Sequence, residues 1–252
     1  MAKFFKDLPS EFHTDPLLPV WRYMSFAKFA SLITRSEIFM SRVDKFVDLF
    51  EGAVSRETFS DTMKLLESDL ELANRYSIDK ANRNFLKERE FIWKWFNDGL
   101  PRAFISCWYL GRSESLAMWK IYGETHESIA IKSSVAKLMN AFPDDVDLLP
   151  VQYMTPEEVK YPTSHRIWQF GFKRLEFAFE SELRCVKFDT SKTCPYYGHN
   201  IKVDLKNLIE EVIISPRAPY WLHQTITEFI DRFDLKVEVK ESNISGKPWS
   251  FT

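Results

Sequence analysis

The sequence predicts an α+β domain built around a twisted, mixed β-sheet, with an inserted helical hairpin and a C-terminal β-α-β unit. Three observations predict it. AFISCWYL, SIAIK and ELRCVKF carry the alternation and the β-branched and aromatic residues of strands. Residues from about 56 to 98 are charged and proline-free, with apolar residues at helical spacing. Near the C-terminus, EEVIIS and LKVEVKES flank the helical pattern TITEFIDRF, which implies a crossover helix between two parallel strands. At 252 residues and 45% hydrophobic, the chain has the size and core material of a single domain spanning 1–252.

In chain order, LLPVWRYMSF reads as a short strand carrying Trp21, Arg22 and Tyr23. SFAKFASLITRSEIFM reads as a helix with Phe26, Phe29, Ala30 and Ile33 on one face. The loop SRVDKFVDLFEG gathers Asp44, Asp48 and Glu51. Within the helical insertion, Leu66, Leu70 and Ala73 form one stripe. After a Ser77 cap, Ile78, Ala81, Phe85, Ile92, Trp93 and Phe96 form a second. The insertion is expected to cap one side of a cleft. AFISCWYL and SIAIK follow as strands, and SSVAKLMNAF as a short helix capped by Ser133 or Ser134. LLPVQYM reads as one strand, and His165 to Phe179 as an aromatic helix. ELRCVKF and IKVDL are strands. In the last unit Ile226, Phe229, Ile230 and Phe233 are expected to point inward.

Composition removes several chemistries. With only 7 glycines there is no GxGxxG, GxxxxGK[ST] or GxSxG, so a dinucleotide fingerprint, a P-loop and a nucleophile elbow are absent. The net charge of -2 gives no global pull toward nucleic acid or membrane. Cys107, Cys185 and Cys194 form no CxxC and suit a reducing compartment. The five histidines contain no HExxH, and no metal is expected from spacing. The start, MAKFFKDLPSEF, has no apolar signal region, so a cytoplasmic protein is predicted.

Three constellations could carry chemistry. Glu180 and Glu182, read as residues of one strand, project side by side, with Arg184 next along the row. Paired carboxylates suit a general base or a group that steadies a developing cation, and a solvated strand edge with a salt bridge explains them as well. Arg22 faces opposite to Trp21 and Tyr23. It suits a bidentate clamp on phosphate or carboxylate, or a structural ion pair with an acid of the 44–51 loop. Ser106 lies among apolar residues on a strand, and Met118, Trp119 and Tyr122 follow at helical spacing. Plain core packing explains that aromatic stripe too. Cys107 reads as a packing cysteine.

The ordered set WRY, DKFVDLFEG, ISCW…MWKIYGE…IAI and ESELR resembles a bacterial family known as domain of unknown function 2971, over about Trp21 to Phe188. Where that family carries a second serine, this chain has Cys107-Trp108. The order Arg, Ser, Glu-x-Glu also resembles the R-S-E class of ADP-ribosyltransferases. That resemblance implies a split mixed sheet that binds NAD without a glycine-rich loop. It implies Arg22 on the NAD phosphate or ribose, beside Tyr23, and Ser106 orienting the nicotinamide ribose. Glu182 would hold a ribose hydroxyl, Glu180 would activate the acceptor, and Tyr122 or Trp119 would stack on nicotinamide. The implied activity is ADP-ribosyl transfer or NAD glycohydrolysis, in a setting of bacterial conflict or phage defence.

Two other readings stay open. In one, a non-enzymatic regulatory or interaction domain, the Arg, Ser and Glu residues form a structural polar network. In the other, a nucleic-acid enzyme, Asp44, Asp48, Glu51, Glu180 and Glu182 hold Mg²⁺. The sequence leaves the acceptor open among protein, nucleic acid, small molecule and water, and fixes no oligomeric state.

Overall fold

In the computed structural model the strand patterns of the sequence join into one mixed sheet. The structure describes residues 2–4, 13–48, 50–68, 85–123, 126–160, 165–189, 191 and 197–246. Strand β1 is Lys3–Phe4 and β2 is Pro19–Ser25. The Ser25 hydroxyl accepts from the Lys28 N–H and caps α1, Phe26–Arg35, which buries Phe29, Leu32 and Ile33. Each of those side chains contributes about 1.5–3 kcal/mol when fully buried. Ser36 then takes a left-handed conformation, φ 52°, and ends the helix. The helix expected through Met40 therefore stops at Arg35. Glu37–Arg42 is instead strand β3, where Ile38 and Met40 point inward and Phe39 outward.

Helices α2, Arg56–Ser68, and α3, Phe85–Asn97, follow, and among the described residues 56–98 no strand forms. Ile92 and Phe96 are buried with Met63, whereas Trp93 is 57% exposed. The expected cap Ser77 and the stripe positions Leu70, Ala73, Ile78 and Ala81 lie outside the described residues.

Strand β4 is Ala103–Leu110, and α4, Leu116–Tyr122, begins at Ser115, whose hydroxyl accepts from the Met118 N–H. Strand β5, Ser128–Ser134, runs into α5, Val135–Ala141, which Ser134 caps. LLPVQYM is not one strand. Residues Val146–Pro150 form β6 in the main sheet, and Gln152–Met154 form β7, which pairs in parallel with β8, Phe172–Arg174. The helix expected from His165 to Phe179 is likewise replaced. Two 3₁₀ segments, Arg166–Phe170 and Leu175–Glu180, flank β8. Aromatic spacing alone does not separate an α-helix from such short turns.

Strand β9, Glu182–Phe188, and β10, Gly198–Lys202, come next. IKVDL leaves the strand after Lys202, because the Asp204 carboxylate caps the short helix α6, Leu205–Leu208. The last unit is β11, Glu211–Ile214, α7, Leu222–Asp231, and β12, Glu238–Glu241, with the two strands parallel. Ile226 and Ile230 are buried and Phe229 packs against the core, but Phe233 is exposed rather than inward.

The fold is thus α+β with a mixed sheet in the order β1-β6-β9-β4-β2-β5-β11-β12. The sheet splits at β4. Tyr109 and Leu110 pair with β2, while Phe104 and Ile105 pair with β3, which continues to β10. Between those ladders, Ser106 to Trp108 keep their pairing with β9 alone. Helices α1, α5 and α7 cover one face of the sheet. On the other, α2 and α3 pack around Ile105 and Phe170, and α4 packs on Trp21 and Tyr23. No helix among the described residues is long and apolar enough to cross a membrane.

Candidate active site

A cavity of about 630 Å³ lies at the split, a size typical of ligand sites. Arg22 and Tyr23 reach it from β2, Ser106 from β4, Tyr122 from α4, Glu180 from a 3₁₀ turn and Glu182 from β9. Strand register fixes their directions. Tyr109 pairs with both Trp21 and Glu182, so Trp21, Tyr23, Tyr109 and Glu182 share one face. Arg22 and Ser106 project to the other. The cavity passes through the gap and collects residues from both sides.

Arg22 bridges the gap. Its Nη1 donates to Ser106 Oγ at 2.9 Å and its Nη2 to the Phe39 carbonyl at 3.0 Å. Its guanidinium carbon sits 5.7 Å from the centre of the Trp108 ring. Trp108 is buried in the cavity wall, and its Nε1 has no hydrogen-bond partner among the described residues. A cation and a buried orphan donor in one wall suit a polyanionic ligand.

On the other face three carboxylates converge on two cations. Lys173 Nζ donates to Glu180, to Glu182 Oε1 at 2.8 Å and lies 3.0 Å from Glu51 Oε1. Arg184 is fully buried. Its Nε donates to Glu182 Oε2 at 2.6 Å, its Nη1 to the Phe170 carbonyl at 2.9 Å, and its Nη2 lies 2.8 Å from Glu51 Oε2. The Glu182 N–H donates to the Tyr153 hydroxyl, and Tyr122 Oη donates to Glu180 Oε1 at 2.9 Å.

These contacts set the charges. Burial pushes Glu182 up, but Arg184, Glu180 and Lys173 outweigh it and hold the carboxyl well below its ordinary value. Glu180 goes the other way. Burial and its neighbour Glu182 raise it to about 7, against the pull of Lys173. Burial works against the Lys173 ammonium, yet Glu182 and Glu51 raise its pKa above the ordinary value. Burial and the Glu180 charge keep the Tyr122 hydroxyl protonated. Burial, with Glu182, also raises Cys107 well above the usual thiol range, so it is a poor nucleophile.

Several expectations need correction. Glu180 is not on a strand beside Glu182. It ends a 3₁₀ segment, and Ser181, at φ 40°, turns the chain before β9 begins. The two carboxylates meet through Lys173, for which neither periodicity nor a motif gives a signal. Glu182 and Arg184 do not form a solvated strand edge, because segment 166–180 and Glu51 cover their face. Trp119 does not line the cavity. It packs on Tyr23, and its Nε1 donates to Glu114. Among their described residues, helices α2 and α3 contribute none to the cavity wall.

The loop acids are accounted for individually. Asp44 pairs with Arg42, Asp48 with Arg174, and Glu51 with Lys173 and Arg184. None pairs with Arg22. Among the described residues no group of three or more His, Cys, Asp and Glu is placed to hold a metal. The Lys173 ammonium sits where Glu51, Glu180 and Glu182 converge, which does not fit the Mg²⁺ reading.

No protein-family model matches the chain, so the resemblance to family 2971 gains no support there, and no curated protein matches it. Among solved structures the chain is similar to Thermus sp. 2.9 DarT in complex with carba-NAD+, at a TM-score of 0.40 and 7% identity, covering 93% of this chain and 100% of that one. It is similar to Thermus sp. 2.9 DarT in complex with NAD+ at a TM-score of 0.38 and 8% identity, with the same coverage. At these TM-scores the likeness carries no functional argument.

Proposed function

We propose that the protein cleaves the bond between nicotinamide and ribose in NAD, as an ADP-ribosyltransferase or NAD glycohydrolase. One observation carries the reading: Arg22, Ser106, Tyr122, Glu180 and Glu182, from five separate elements, line a single cavity at the split of the sheet. The wall fits the ligand, with a cation and an orphan indole N–H for phosphate, and carboxylates and a ring for the nicotinamide ribose. In this reading Arg22 clamps phosphate or ribose oxygens, and Ser106 holds the Arg22 fork in place and orients the ribose. Tyr122 stacks on the nicotinamide ring, and Tyr23 packs behind it.

Glu182 stays ionised at neutral pH and faces the positive charge that develops at the ribose carbon. Its two oxygens each accept from one cation, which leaves lone pairs for a ribose hydroxyl. A charge so placed is worth about two to three powers of ten in rate. Glu180, poised near neutrality, takes the proton of the acceptor.

A second reading has its own observation. Glu182 is only 5% exposed, with both oxygens paired, as a purely structural network requires. Nicotinamide release from NAD and melting temperature, measured on wild type and Glu182→Gln, separate the two. The catalytic reading expects release by the wild type and a loss of at least about a hundredfold in the variant. Wild-type release left unchanged in a less stable variant supports the network, and no release by the wild type removes the enzyme.

A further inference from the structure

Behind the acidic cluster lies a second, smaller cavity of about 60 Å³, walled in part by Asp48, Glu51, Gln169, Lys173 and Arg174. Among the described residues, four side-chain atoms of its wall are buried with neither a hydrogen bond nor an ion pair: Gln169 Oε1, Gln169 Nε2, Asp48 Oδ2 and Arg174 Nε; Glu51 Oε2, also without a hydrogen bond, is ion-paired with Arg184. Gln169 is 2% exposed, so its whole amide is unsatisfied in the interior. A buried polar atom without a partner is costly, so these atoms call for a hydrogen-bonding occupant.

Their chemistry selects the occupant. Two of the four atoms are donors and two are acceptors. A cation would leave Arg174 Nε and Gln169 Nε2 unpaired, and an anion would leave Asp48 Oδ2 and Gln169 Oε1 unpaired. A small molecule that both donates and accepts satisfies all four. A water needs roughly 10–15 Å³ of such space, so the chamber holds a few waters and nothing larger than a very small solute.

Lys173 and Glu51 belong to both cavities' surroundings. Each lines the chamber, and Lys173 Nζ bonds Glu51, Glu180 and Glu182. Glu180 itself is 4% exposed and closed in by Tyr122, Lys173 and Glu182. Glu180 also lines the main cavity with Tyr122 against its carboxylate, so a protein side chain or a nucleotide base entering beside NAD meets Tyr122 before it. Water from the chamber would not.

We infer that the acceptor at this site is water, with the chamber lined by Gln169, Asp48 and Arg174 as its hydrated store. The inference rests on the proposed cleavage of NAD and names its second substrate. The step balances as a hydrolysis. The bond between the ribose carbon and the nicotinamide nitrogen breaks, and its electron pair goes to that nitrogen. The water oxygen bonds the ribose carbon, and its proton passes to the Glu180 carboxylate and then to solvent. The products are nicotinamide, ADP-ribose and one proton.

The test incubates the full chain in buffer with NAD labelled in its adenylate phosphate, and a crystal structure at water-resolving resolution accompanies it. The inference expects nicotinamide and free ADP-ribose in equal amounts, with no label on protein. It also expects water within hydrogen-bond distance of the four chamber atoms. Nicotinamide release with the label on the protein, or release only after a macromolecular acceptor is added, overturns the inference and leaves NAD cleavage standing. No release under any condition overturns both. A dry chamber, or the four atoms bonded directly to one another, overturns the water store.

Discussion

Arg22 crosses the split in the sheet to donate a 2.9 Å hydrogen bond to the Ser106 hydroxyl. The two residues sit on strands whose ladder has already parted at that level, since β4 pairs with β2 only at Tyr109 and Leu110. The contact therefore holds the guanidinium at the mouth of the gap rather than joining two paired strands.

Ser106→Ala tests that role. Arg22 keeps the Phe39 carbonyl but loses one side of its fork. A hydrogen bond to a charged group is worth about 1.5–3 kcal/mol, or roughly tenfold to a hundredfold in affinity. We expect NAD to bind at least about tenfold more weakly, measured by calorimetric titration, with the melting temperature lowered by a few degrees at most. Unchanged affinity would make the hydroxyl a strut.

Glu180 predicts a pH dependence. Its folded value, about 7, lies above the ordinary 4.5, with Tyr122, Lys173 and Glu182 facing it. The stability it contributes is full below about 4.5 and is lost as pH rises through about 7. Glu182, held low, loses its contribution only as pH falls below the ordinary carboxylate value, outside that window. The wild type should therefore lose several degrees of melting temperature between pH 5 and 8 relative to Glu180→Gln. Nicotinamide release should rise across the same interval as the base ionises. Parallel melting curves for the two proteins would contradict the assignment.

Arg184→Met leaves Glu51 and Glu182 with Lys173 as their remaining cation partner. Breaking a buried pair costs about 3–5 kcal/mol, and for a domain of this size that is a fall of roughly 6–20 °C. The double variant with Glu182→Gln should cost less than the two single changes added together, because they remove the same contact. Additive costs would show that Arg184 and Glu182 act independently.

Gly52 seats the loop that carries Glu51. Its φ of 70° is unfavourable for other residues, and a Cβ there would lie 2.7 Å from both Leu100 Cδ2 and Phe170 Cε1. Gly52→Ala should lower stability by about 1–2 kcal/mol or more and weaken the grip of Glu51 on Arg184 and Lys173. Thermal melting that matches the wild type would mean the loop is not clamped at this point.

Much of the sheet was legible in the sequence because its strands follow period two. ELRCVKF put Glu182 and Arg184 on one face and Leu183 and Cys185 on the other, and the structure has the same alternation. Whether that first face is open was not legible. Its cover, segment 166–180 and Glu51, comes from elsewhere in the chain. The 3₁₀ turns around β8 escaped for a local reason: IWQF and LEFAFE carry aromatic spacing that a helix would share. Lys173, which gathers the three glutamates, sits on a three-residue strand between those turns. No periodic pattern is long enough there to give its direction. Arg22 and Ser106 were legible as polar residues on strands, but the split that brings them together is a property of pairing, not of either strand.

Under the proposed function, NAD enters the cavity at the split and is held there by Arg22. The most direct measurement is calorimetric titration of NAD into the wild type and into Arg22→Met at pH 5.5, where Glu180 is protonated and turnover is slow. Saturable one-to-one binding by the wild type is expected, with binding weakened at least about tenfold in the variant and both proteins folded. No saturable binding to the wild type at millimolar NAD, or equal binding by the two proteins, would contradict it.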